Sequence, residues 1–70
     1  MPDLEGLGEE IKRLRDEQGL TPAELAQRSR VRIEDVHAIE SGEQMPLRNV
    51  VVNIAGGLGA SPTAFLRMLD

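Results

Sequence analysis

Few side chains in this 70-residue chain could do chemistry, and their spacing narrows what that chemistry could be. Glu34 and His37 stand at i, i+3, the Glu-x-x-His spacing of carboxylate-bridged di-metal bundles. Such a site needs a second copy of the motif and two further Glu. His37 is the one histidine in the chain, so no metal site is expected. Cysteine is absent, which excludes a disulfide framework and thiolate metal sites. Ser41 and Ser61 have no base with an orienting partner at helical spacing, so nucleophilic catalysis has no support. Gly57-x-Gly59 looks like a fragment of a dinucleotide loop, but no strand precedes it. Neither a cofactor nor an enzyme activity is expected. What remains is a set of cations, Arg28, Arg30 and Arg32 around one turn, with Arg48 further on. They can hold phosphates, or they can simply be solvated.

The overall charge speaks against the phosphate reading. Eight Lys and Arg against twelve Asp and Glu leave the chain at −4. A nucleic-acid-binding domain usually draws its affinity from neutralised phosphates. The charge is not evenly spread, however. Residues 1–20 hold six acids and three bases, a net of −3, and residues 21–48 hold five acids and four Arg, a net of −1. Hydrophobic residues make up 40% and charged residues 29%, an ordinary soluble balance. The longest stretch without a charge, Asn49 to Leu66, is broken by Asn53, three Gly and Pro62, and does not read as a membrane span. The acidic start, Met1-Pro2-Asp3-Leu4-Glu5, is unlike a secretion signal or transit peptide, so a cytoplasmic location is expected.

The elements that must position these groups are short helices. Leu7, Ile11 and Leu14 form an i, i+4, i+7 stripe within Leu4 to Gln18, and Gly19 stops that helix. Thr21-Pro22-Ala23-Glu24 combines an N-cap, a Pro at N1 and a capping-box Glu. The helix it opens turns Leu25 and Ala26 inward and runs to about Ser29. A third segment starts near Arg32 or Ile33, with Glu34 and Asp35 in the first turn, where the helix dipole favours anions. Val36 and Ile39 form its apolar face, and Ser41-Gly42 ends it. Met45-Pro46 marks a loop. Leu47 to about Leu58 follows, with Val50, Val51, Ile54 and Leu58 inward, its last turn weakened by Gly56-Gly57 at about 1 kcal/mol per Gly. Ser61-Pro62 opens a last short helix carrying Phe65, Leu66 and Leu69. No stretch alternates with period two. The expected architecture is an all-α, compact five-helix domain spanning residues 1–70. It contains a helix-turn-helix at about 21–41.

The residues also resemble a known family. Leu7-Gly8-Glu9-Glu10-Ile11-Lys12-Arg13-Leu14-Arg15 is similar to the opening helix of the Xre/phage-repressor family. So are Gly19-Leu20-Thr21, Glu24-Leu25-Ala26, Val31, Val36, Ile39-Glu40-Ser41-Gly42, Pro46, Ile54-Ala55 and Leu58, in ungapped register from Leu7 to Leu66. The resemblance implies a repressor-like regulator whose third helix lies in the DNA major groove, working as a homodimer on double-stranded DNA. It implies base contacts from Arg32, Ile33, Glu34, His37 and Ala38. Phosphate contacts would come from Thr21, Arg28, Arg30, Gln44, Arg48 and Asn49. It also sets Arg15 opposite Glu40 as a buried structural ion pair, for which a planar guanidinium is better suited than Lys. Ala26 sits where the second and third helices cross, and a small side chain permits that approach. Phe65, Leu66, Met68 and Leu69 crowd a terminal helix that so small a core cannot fully cover. They are expected to form a dimer surface.

The departures from the family pattern fall on the DNA-facing surface. Pro22 stands where many members carry a DNA-contacting Gln, and it has no donor. Arg30 stands where the turn usually has Gly, at a cost of about 1 kcal/mol if the left-handed conformation is kept. Glu34, Asp35 and Glu43 would face phosphates or bases. Glu can still accept from cytosine N4, and Ile or Ala can pack on a thymine methyl. The alternative is a helix-turn-helix module with weakened DNA binding that docks a protein partner, as an antitoxin does. No membrane or small-molecule substrate is implied.

Overall fold

The computed structural model describes all 70 residues as five helices: α1 (Leu4–Glu17), α2 (Pro22–Ser29), α3 (Ile33–Ser41), α4 (Arg48–Leu58) and α5 (Pro62–Arg67). There are no strands. Each boundary has a local cause. The Asp3 carboxylate accepts from the Gly6 N–H at 2.9 Å and caps α1. The Thr21 hydroxyl accepts from the Glu24 N–H at 3.1 Å, and the Glu24 carboxylate accepts from the Thr21 N–H at 2.9 Å. That is the expected capping box, with Pro22 at N1. Gly42 and Gly59 stop α3 and α4 in left-handed conformations that carry no steric penalty for glycine. Leu47, expected as the first residue of α4, is its N-cap instead. Ser61 does precede α5, but its hydroxyl makes no capping bond.

The core is a single cluster in which Leu7, Ile11, Leu25, Val36, Val51 and Ile54 are completely buried. Burying a side chain of this kind stabilises by about 1.5–3 kcal/mol. Helices α1 and α3 pack together, α2 sits against both α3 and α4, and α5 closes over α4. Leu14 and Val50, expected inward, lie half-buried at the margin of the cluster.

Two glycines have no freedom to be anything larger. A Cβ on Gly8 would lie 2.5 Å from the Ile39 carbonyl oxygen and 2.7 Å from that of Glu40, so α1 and α3 touch backbone to backbone. A Cβ on Gly57 would run into the Ser29 side chain, where α2 crosses α4. The Ser29 hydroxyl is buried in that crossing with no hydrogen-bond partner.

The terminal helix corrects one expectation. Phe65 is 3% exposed and Leu69 is 6% exposed, so both belong to the core and cannot form a dimer surface. Helix α5 packs against α4, and the Asp3 N–H donates to the Met68 carbonyl at 2.7 Å, tying the two ends of the chain together. Only Leu66 and Met68 of the expected four remain partly open.

Candidate nucleic-acid interface

Helices α2 and α3 are joined by three residues, Arg30, Val31 and Arg32. Arg30 is the one non-glycine residue with positive φ, at φ 57° and ψ 40°. The Val31 N–H then reaches back to the Ala26 carbonyl at 3.1 Å, a Schellman-type closure. Bond and left-handed residue together set the angle between the helices. They also leave the Arg30 side chain exposed.

The opposite side of the motif is held by Arg15, which is 8% exposed. Its Nε donates to Glu40 Oε2 at 2.7 Å and its Nη2 to Oε1 at 3.2 Å. Its Nη1 donates to the Leu20 carbonyl at 2.7 Å, with Asp16 Oδ1 at 3.2 Å. The hydrogen bond to Glu40 holds the Arg15 pKa above the usual arginine value, outweighing desolvation. One guanidinium thus joins the end of α1, the approach to α2 and the end of α3, and fixes α3 against the body of the domain.

On the outward face of α3, Ile33, Glu34, His37 and Ala38 are all exposed, while Val36 and Ile39 point into the core. All five residues expected to touch bases, with Arg32 the fifth, are therefore open to solvent. Arg32 is engaged. Its backbone N–H donates to Asp35 Oδ2 at 3.1 Å, and its Nη2 lies 3.5 Å from Oδ1. The carboxylate of Asp35 is thereby occupied as a helix-start acceptor and cation partner.

The expected phosphate contacts fall in two stretches of the chain, before and after α3. Thr21, Arg28 and Arg30 lie on or beside α2, and all are exposed. Gln44, Arg48 and Asn49 follow α3, also exposed. Helices α2 and α4, which carry or adjoin the two groups, pack against each other. A shallow depression of about 150 Å³ joins Asp35 and Ala38 on α3 to Gln44, Met45, Pro46 and Leu47. One residue of the base set and one of the phosphate set therefore share a concavity. Arg48 Nη1 lies 4.0 Å from the Asp70 carboxylate, both side chains exposed, and a phosphate can displace so loose a partner.

Met45 and Leu47 were missed by the sequence reading. They are 53% and 70% exposed on the rim of that depression. The available signal was apolar side chains in a loop that the helical pattern does not need to bury. No helix is long and apolar enough to cross a membrane.

Comparison with known proteins agrees with this geometry. A family described as helix-turn-helix domain matches residues 6–68. An HTH_3 family transcriptional regulator from Vibrio cholerae superimposes with a TM-score of 0.80 at 33% identity, covering 91% of this chain. The chain spans 36% of that regulator's length. A single-substitution mutant of the restriction-modification controller protein C.Esp1396I gives 0.79 at 27% identity, covering 97% of this chain and 89% of its own. The wild-type controller gives 0.78 at 28% identity, covering 93% and 83%. No curated protein matches the sequence.

Proposed function

The chain belongs to this helix-turn-helix domain family, and on that premise we propose that it is a small sequence-specific DNA-binding transcriptional regulator of the cytoplasm. In this reading residues 1–70 act as one unit and α3 enters the major groove. Arg32, Ile33, Glu34, His37 and Ala38 face base edges. Thr21, Arg28, Arg30, Gln44, Arg48 and Asn49 hold the backbone on either side, and two copies read a palindromic site. The observation that carries it is the free outward face of α3, braced from behind by Arg15 and flanked by exposed arginines. The similar solved structures are a transcriptional regulator and a restriction-modification controller protein.

The −4 charge does not defeat this reading, because its distribution matters more than its sum. Glu5, Glu9, Asp16 and Glu17 sit on α1, which packs behind α3. Glu40 and Asp35 are consumed by internal arginine contacts. Glu34 and Glu43 remain exposed near the groove. Those two favour a second reading, in which the same face docks a basic protein.

Fluorescence anisotropy on pooled duplexes, at low and at physiological salt, separates the two. Affinity that falls as salt rises is expected for DNA binding. Absence of salt-dependent binding even at low salt, with capture of a basic protein, overturns it.

A further inference from the structure

The outward face of α3 carries one unpaired carboxylate, Glu34, and a carboxylate is an acceptor. Asp35 accepts from the Arg32 N–H and lies 3.5 Å from its guanidinium, whereas Glu34 enters none of the ion pairs of the domain and stands exposed in the first turn. Its neighbours on that face are Ile33, which is 38% exposed, and the small Ala38, neither of which can donate to a base, with Arg32 and His37 as the exposed donors beside them.

An ionised carboxylate can accept but not donate. In the major groove guanine offers the acceptors N7 and O6, and thymine offers O4. All three repel Glu34. Adenine offers the N6 amino group beside the acceptor N7, so a carboxylate gains one bond and meets one repulsion. Cytosine offers the N4 amino donor with no acceptor on its own major-groove edge. From this, and resting on the DNA-binding reading above, we propose that Glu34 is a specificity-determining residue that selects cytosine at one position of the half-site. Glu34 contributes a penalty against the other three bases more than it adds affinity. It also lowers non-specific binding by repelling phosphates.

The test is selection from a randomised duplex library, followed by affinity measurements on the enriched site. The wild-type chain is compared with Glu34→Ala and Glu34→Gln. Glu34 is exposed and makes no internal bond, and unchanged circular dichroism and melting verify that both variants fold. The wild type is expected to enrich cytosine at one position, with other bases there costing about 5- to 150-fold in affinity. Glu34→Ala flattens that preference and tightens binding to unrelated duplexes. Glu34→Gln moves the preference to adenine, because an amide can donate to N7 and accept from N6. N4-methylation of the selected cytosine weakens the wild type and spares Glu34→Ala, whereas C5-methylation does not reproduce the effect. Binding with a cytosine preference that survives in Glu34→Ala overturns this assignment and leaves the DNA-binding reading intact. Failure of the wild type to bind any duplex at low salt overturns both.

Discussion

Removing one partner of the Arg15–Glu40 pair tests whether the domain is braced as described. In Glu40→Ala, two charge-assisted bonds, at 2.7 and 3.2 Å, disappear. Arg15 stays at a site where its side chain is 9% exposed. Orphaning a buried charge costs about 3–5 kcal/mol. Arg15 still keeps the Leu20 carbonyl and Asp16, so the lower end, about 3 kcal/mol, is expected. A domain of this size has about 3.5–10 kcal/mol in total. The loss should lower the melting temperature by about 12–24 °C. Thermal and urea unfolding followed at 222 nm measures it, at several protein concentrations so that any self-association is separated out. The informative control is Arg15→Met combined with Glu40→Leu. Replacing both members of a buried pair by apolar groups is often neutral, so the double variant should melt well above Glu40→Ala. A loss below about 1 kcal/mol in Glu40→Ala would mean that the pair is solvated like a surface bridge. A double variant as unstable as the single one would mean that its cost is lost packing. Either result refutes the argument.

Glycine substitutions should split by contact. Gly8→Ala forces apart the α1 and α3 backbones and is expected to destabilise by about 1–3 kcal/mol. Gly56→Ala, whose Cβ meets nothing within 4 Å, should stabilise by up to about 1 kcal/mol in the same urea titration. Arg30→Gly relieves the left-handed strain and should raise stability by about 0.5–1 kcal/mol. If Arg30 also holds a phosphate, the slope of log affinity against log salt becomes shallower by about 0.9 in that variant. Acidification has a definite sign. Hydrogen bonds from the Thr21 N–H hold the Glu24 carboxyl below its ordinary value of 4.5, and the bond from Arg13 does the same for Glu10. Both groups bind protons more readily when unfolded, so their contribution is present above about pH 4.5 and is lost as pH falls through the lower folded values. Glu24→Gln should flatten the stability profile below pH 4.5 in an acid titration, and a profile unchanged from wild type counts against the capping role.

The helix starts and stops were legible because their causes are local. Thr21, Pro22 and Glu24 act within three residues of one another, and Gly42 and Gly59 act on the turn they follow. The exposed face of α3 was legible for the same reason: Val36 and Ile39 face inward, so positions 33, 34, 37 and 38 face out. The terminal helix was misjudged because composition alone cannot show that α5 packs on α4 with Phe65 and Leu69 buried. The internal partners of Asp35 and Glu40 belong to the same class of information, since both count as acids in a sum while the fold sets them against Arg32 and Arg15.

The amino-acid sequence by itself determined five helices, their caps, the inward stripes and the helix-turn-helix spacing. Each follows from interactions between residues a turn or less apart, or from a period of 3.6 along one helix. Only the tertiary structure decided which glycines are contact points, which terminal side chains belong to the core, and which charges are paired within the fold. Those answers depend on residues such as Arg15 and Glu40, twenty-five positions apart, meeting across helices. A pair at that separation leaves no periodic trace in the chain.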